Sequence, residues 1–134
     1  MKSSISAKAL NAVETPLLAL IVAQGAMPSL DATLERAVAS GDYKGKKDET
    51  LLVYGGGKAQ RILLVGVGKG ADVTRSAVRR AVAIAAKRAR GLGTKTLAVA
   101  ITKEARGGLG AAELAQVAIE GVAQGSWQFM ELKR

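Results

Sequence analysis

The sequence predicts an α/β fold with a mixed central sheet and helices on both faces. Three observations carry this. Ile62-Leu63-Leu64-Val65 is an unbroken apolar run, the pattern of a strand buried on both sides. Such runs alternate with helical periodicity over the second half of the chain. Thr50–Tyr54 and Arg61–Val67 are separated only by a short glycine turn, which reads as an antiparallel hairpin. A length of 134 residues suits one domain spanning residues 1–134.

Taken in order, Ser4 to Lys8 is short and roughly alternating, an edge strand. Leu17 to Val22 is an apolar run after Pro16, ended by Gly25 and Pro28. Ser29 is placed to cap a helix in which Leu30, Leu34, Ala37 and Val38 share a face. Asp31 and Glu35 lie toward its positive end, and Gly41 stops it. A charged loop, residues 42–49, leads to the hairpin, whose turn is Gly55-Gly56-Gly57-Lys58. Asp72 or Thr74 caps a long helix to about Arg90, closed by Gly91 and Gly93. Thr96 to Ile101 is a further buried strand. The glycine-rich loop from Arg106 to Gly110 precedes a helix from Ala111 to about Gln124. Leu114, Val117, Ala118 and Val122 share one face of it; Glu113, Gln116, Glu120 and Gln124 share the opposite one. Trp127-Gln128-Phe129-Met130 is a last extended segment.

Composition removes whole classes of chemistry. Without Cys or His there is no disulfide, thiol nucleophile, Cys/His zinc site or imidazole base. Aromatics at 3% argue against a reader that stacks nucleobases on several rings. A net charge of +9 points to nucleic acid, an anionic membrane or an acidic partner as contacts. The longest apolar stretch, Leu17 to Ala23, is far below the ~20 residues of a bilayer helix. No hydrophobic region with a small-residue cleavage site follows Met1, so the expected address is the cytoplasm.

Four groups of residues are candidate sites. Gly66, Gly68, Lys69 and Gly70 join a strand to a helix, the setting of a phosphate loop. However, Ala71 breaks the dinucleotide spacing, and Lys69 is followed by Gly70 rather than Ser or Thr. A tight turn needing positive φ is the commoner use of such glycines. On a helical wheel Arg75, Arg79, Arg80, Lys87 and Arg90 occupy one arc opposite Val78, Val82, Ala85 and Ala89. No Asp or Glu occurs from Thr74 to Thr102, so this arc is a candidate anion or nucleic-acid contact as well as a solvated face. The eleven carboxylates show no acid/base or metal-ligand spacing, and no Ser or Lys sits in a nucleophile context. Trp127 and Phe129, two residues apart, point the same way from an extended segment, as core or as a docking patch.

The order of motifs then becomes informative. Gly41-Asp42-Tyr43-Lys44-Gly45-Lys46 leads into Glu49-Thr50-Leu51-Leu52. Arg61-Ile62-Leu63-Leu64-Val65-Gly66-Val67-Gly68-Lys69 precedes the Arg- and Ala-rich helix. Ala118-Ile119-Glu120-Gly121 runs to Gly125-Ser126-Trp127-Gln128-Phe129. Together these resemble the N-terminal domain of the leucyl aminopeptidases, the M17 or cytosol aminopeptidase family, from about residue 5 to 134. Trp127 stands where Tyr is usual, and Leu132 departs from a common aromatic.

The resemblance implies a macro-domain-like, three-layer α/β/α fold. It places everything catalytic in a larger C-terminal domain with two divalent metals, Zn or Mn, and a signature around Asn-Thr-Asp-Ala/Gly-Glu-Gly-Arg that does not occur here. The expectation is therefore no peptidase activity from these residues alone, and no catalytic, cofactor or metal residue. The implied role is a structural, assembly or regulatory module of an enzyme that removes N-terminal amino acids from peptides. The implied partner is the catalytic domain, with Trp127 and Phe129 as candidate interdomain contacts. The implied states are a hexamer in the parent family and a monomer or weak dimer in isolation, with no membrane contact. Two alternatives stand beside it. One is a DNA-binding module through helix 74–90, a role this domain has in some family members. The other is phosphate or ADP-ribose binding at loop 66–70; Gly55-Gly56-Gly57 lies in a hairpin turn, the wrong context for a macro-domain ligand loop.

Overall fold

The structure is a computed structural model and describes residues 2–6, 15–26, 32–39, 41, 43–54, 59–94, 96–124 and 129–133. Along the chain run β1 (Lys2–Ser6), β2 (Leu18–Val22), α1 (Ala32–Ala39), β3 (Thr50–Tyr54), β4 (Arg61–Gly66), α2 (Arg75–Gly91), β5 (Ala98–Ile101), α3 (Ala111–Gln124) and β6 (Phe129–Lys133). The strands form one sheet in the order β1-β6-β5-β2-β4-β3. All neighbours are parallel except β3 and β4. The hairpin is thus present, with Thr50 opposite Val65 and Tyr54 opposite Arg61. Its turn, 55–58, lies outside the described residues.

The apolar run of β2 has a simple cause. It lies between β4 and β5, with helices over both faces, so every one of its residues is buried. Alternation sorts its side chains into two compartments. Leu17, Ala19 and Ile21 join Leu63, Val65, Val99 and Ile101 under α2 and α3. Leu18, Leu20 and Val22 join Ile62, Leu64, Ala98 and Ala100 under Leu34 of α1 and Tyr43. This is the three-layer α/β/α arrangement with a mixed sheet.

Helix α2 carries the expected apolar stripe: Val78, Val82, Ala85 and Ala89 are all buried. Thr74, not Asp72, is its cap, its hydroxyl oxygen accepting from the Ala77 N–H at 3.1 Å. Asp72 belongs to a short 3₁₀ turn, Gly70–Asp72. Parallel strands need a crossover, and α2 supplies the one from β4 to β5. On α3 the face of Leu114, Val117, Ala118 and Val122 is buried as expected. The two helices approach closely at Gly121. A Cβ there would stand 2.7 Å from both the Arg79 carbonyl oxygen and Val82 Cβ.

Two boundaries differ from the sequence reading. The first strand spans Lys2–Ser6 rather than Ser4 to Lys8, and it does lie at a sheet edge. The last begins at Phe129, which pairs with Lys2. Ser29 and Trp127 lie outside the described residues.

Candidate functional site

The glycine loop after β4 is a support. Its first three N–H groups already have partners. Gly66 donates to the Glu49 carbonyl at 2.8 Å, Val67 to the Val22 carbonyl at 2.9 Å, and Gly68 to the Gly45 carbonyl at 3.1 Å. Two of these carbonyls belong to the loop that precedes β3. A Cβ at Gly66 would overlap the Gly45 and Lys46 carbonyl oxygens, so only glycine lets the two loops meet. Gly68 adopts φ +86° and underlies Lys47. The candidate phosphate loop of Gly66, Gly68, Lys69 and Gly70 therefore has no free N–H at its first three positions to cradle a phosphate.

The supported loop, 43–49, is also clamped from within. Glu49 Oε1 accepts from the N–H groups of Lys44 (2.9 Å), Gly45 (2.9 Å) and Lys46 (3.2 Å). These bonds, the Lys44 N–H foremost, hold the carboxyl below the usual carboxylate range. The buried Tyr43 hydroxyl donates to the Glu49 carbonyl oxygen at 3.1 Å. Burial, with the Glu49 charge adding, pushes that phenol up. The clamp fixes the next pair, Lys47 and Asp48. Asp48 donates its N–H to Gly66 and sits at φ +66°, the left-handed region.

From this loop Asp48 reaches α2. Both of its carboxylate oxygens lie 2.9 Å from Arg80 Nε. Glu120 of α3 reaches the same helix from the other side, 3.5 Å from Arg75 Nη2 and 3.5 Å from Arg79 Nη1. Arg79 also donates to Ser76 Oγ at 3.4 Å. The five-cation arc is therefore divided. Arg75, Arg79 and Arg80 have acidic partners, whereas exposed Lys87 and Arg90 have no ion pair among the described residues. The acid-free stretch 74–102 was a true property of the sequence; the acids that answer it come from other elements.

Between the clamped loop and the start of α2 lies an open groove of about 280 Å³, lined by Lys47, Thr74, Ser76, Ala77, Arg79 and Arg80. Lys47, Thr74 and Ser76 were not singled out from the sequence as part of a site with Arg79 and Arg80. Nothing local marks them, since the loop and the helix are far apart in sequence and are brought together by the 66–68 turn and the Asp48–Arg80 pair. Phe129 lies on β6.

Comparison with known proteins agrees with this architecture. The cytosol aminopeptidase family's N-terminal domain matches residues 19–134. A probable cytosol aminopeptidase of Acidobacterium capsulatum is 44% identical over 75 residues, 53% of this chain and 15% of that protein. One of Roseiflexus castenholzii is 34% identical over 113 residues, 78% of this chain and 22% of that protein. The chain thus spans less than a quarter of the length of either relative. In three dimensions it is similar to a tomato leucine aminopeptidase mutant, with TM-score 0.80, 18% identity, and coverage of 100% of this chain and 32% of the other. It is also similar to the macrodomain of Thermus aquaticus DarG, with TM-score 0.69, 14% identity, and coverage of 99% and 98%. At those identities the two structures speak for the fold alone, a macrodomain-like α/β fold. The sequence match across most of the chain goes further: this chain belongs to the cytosol aminopeptidase family, as its N-terminal domain.

Proposed function

We propose that the chain is a non-catalytic structural and assembly module of a cytosol aminopeptidase, an enzyme that removes N-terminal residues from peptides. The family match over residues 19–134 carries this reading. The acids placed by the structure support it, because they have structural duties. Glu49 clamps a loop, Asp48 and Glu120 hold arginines, and Glu113 accepts from the Gly110 N–H at 3.3 Å. The two divalent metals that the resemblance implies find no ligand set among the described residues. Among the described residues no three of His, Cys, Asp or Glu come together. Those metals, and the peptide chemistry, belong to another part of the family protein.

The ion pairs of Arg75, Arg79 and Arg80 divide the cationic arc, so it does not present the continuous unpaired stripe that a nucleic-acid module would lay along a duplex backbone. The relatives' shared name supports a cytosolic address. Among the described residues no helix is long and apolar enough to cross a membrane.

Co-expression with the catalytic portion of a cytosol aminopeptidase tests the reading. The chain should co-elute with that portion in a complex weighed by light scattering, and leucyl anilide hydrolysis should reside in the partner. Turnover by the metal-supplemented chain alone, or failure to associate, would overturn it.

A further inference from the structure

We propose that the groove between loop 43–49 and the first turns of α2 binds a compact phosphate-bearing anion, with Lys47, Arg79 and Arg80 as its cationic walls and Asp48 as a built-in competitor. This goes beyond the assembly role and does not depend on it.

The lining favours such a ligand. Three of six lining residues are cations and two are hydroxyls; only Ala77 is apolar. A volume of about 280 Å³ lies just below the usual range for small-molecule pockets, and those are mostly apolar. Shape and lining together select a small, highly charged group. The Thr74 oxygen accepts from the Ala77 N–H, which leaves its hydroxyl proton free to donate outward.

The structure also holds an oxyanion beside the groove. The Asp48 carboxylate engages Arg80 through Nε alone, both oxygens sharing one N–H at 2.9 Å. The stronger two-bond fork, in which Nε and a terminal nitrogen each take one oxygen, is not formed. A phosphate can form that fork while Lys47 and Arg79 face its remaining oxygens. Asp48 occupies its place at φ +66°, a backbone region that glycine adopts more readily than any other residue. Its backbone there is fixed by the bond from its N–H to the Gly66 carbonyl and by the Glu49 clamp, so displacement of the competitor by a better anion needs only its side chain to swing away from Arg80.

The test is an amide correlation NMR titration of the full chain with inorganic phosphate and pyrophosphate, with chloride keeping ionic strength constant. Saturable shifts are expected at residues 47–48 and 74–80, larger for pyrophosphate. Asp48→Gly, which suits the backbone and removes the competing charge, should tighten apparent affinity about threefold or more. Arg79→Gln and Arg80→Gln should each weaken it by a similar factor. Arg79→Gln keeps the Asp48–Arg80 pair, so its result stands even if loss of that pair loosens the loop. Three results overturn the proposal: shifts that never saturate, an equal response to succinate at matched charge, or an unchanged affinity in Asp48→Gly.

Discussion

Gly121→Ala isolates the contact between α2 and α3. In an open helical position the change gains about 1 kcal/mol, because alanine is the better helix former. Here the added Cβ would stand 2.7 Å from the Arg79 carbonyl oxygen and 2.7 Å from Val82 Cβ. Both atoms belong to rigid parts of α2, so the helices must separate. Overpacking of this kind costs about 1–3 kcal/mol, and stiff neighbours put this site near the upper end. The net expectation is a loss of about 2 kcal/mol once the propensity gain of about 1 kcal/mol is subtracted. Gly91→Ala is the control. Gly91 is the last residue of α2, with nothing within 4 Å of the new Cβ, and the change should gain about 0.5–1 kcal/mol. Urea unfolding reads both. With a slope of about 1.5–2 kcal/mol/M, the Gly121→Ala midpoint should fall by about 1 M while that of Gly91→Ala rises. A Gly121→Ala midpoint at or above that of the parent would refute the close-packing argument.

Other substitutions address the clamped loop. The Glu49 carboxyl is held below its ordinary range, so its contribution to stability is full above the unfolded value near 4.5 and fades as pH falls through the folded one. Glu49→Gln should therefore flatten the acid limb of a pH–stability curve below about pH 4.5; an unchanged limb would count against the clamp. Tyr43 behaves with the opposite sign. Its raised phenol contributes fully below the unfolded value of 10.0 and loses that contribution as pH rises beyond it. Tyr43→Phe should cost about 1 kcal/mol at neutral pH by removing the bond to the Glu49 carbonyl, and should soften the alkaline decline seen in denaturant melts.

Much of the fold was legible because parallel strands buried on both faces write themselves as unbroken apolar runs. Leu17–Val22 and Ile62–Val65 are such runs, and both became central strands. Helix α2 was legible from its stripe and from Thr74. The first strand was misplaced by two residues because Lys2–Ser6 has little apolar pattern of its own; its register comes from β6. The site was legible only in halves. The cationic arc could be drawn from residue spacing, but its answering acids could not. Asp48 lies 32 residues from Arg80 and Glu120 lies 45 from Arg75. The glycines of 66–70 announced a turn, whereas their role of backing loop 43–49 depends on a loop-to-loop approach that no local pattern encodes.

Among the described strands β1 pairs with β6 alone, and Lys2 stands opposite Phe129 in the register. Strand β1 consequently docks only after β6 has formed, because among the described strands its seat is made by a partner more than 120 residues further along the chain. Until then its polar edge waits in solvent while the middle of the chain assembles. Because the pair is parallel, Lys2 stands beside Phe129 and Ser6 beside Lys133, so the start of β1 and the end of β6 lie at opposite ends of their seam. A segment leaving β6 at Lys133 must therefore run back about 13 Å along that seam before it could reach Lys2.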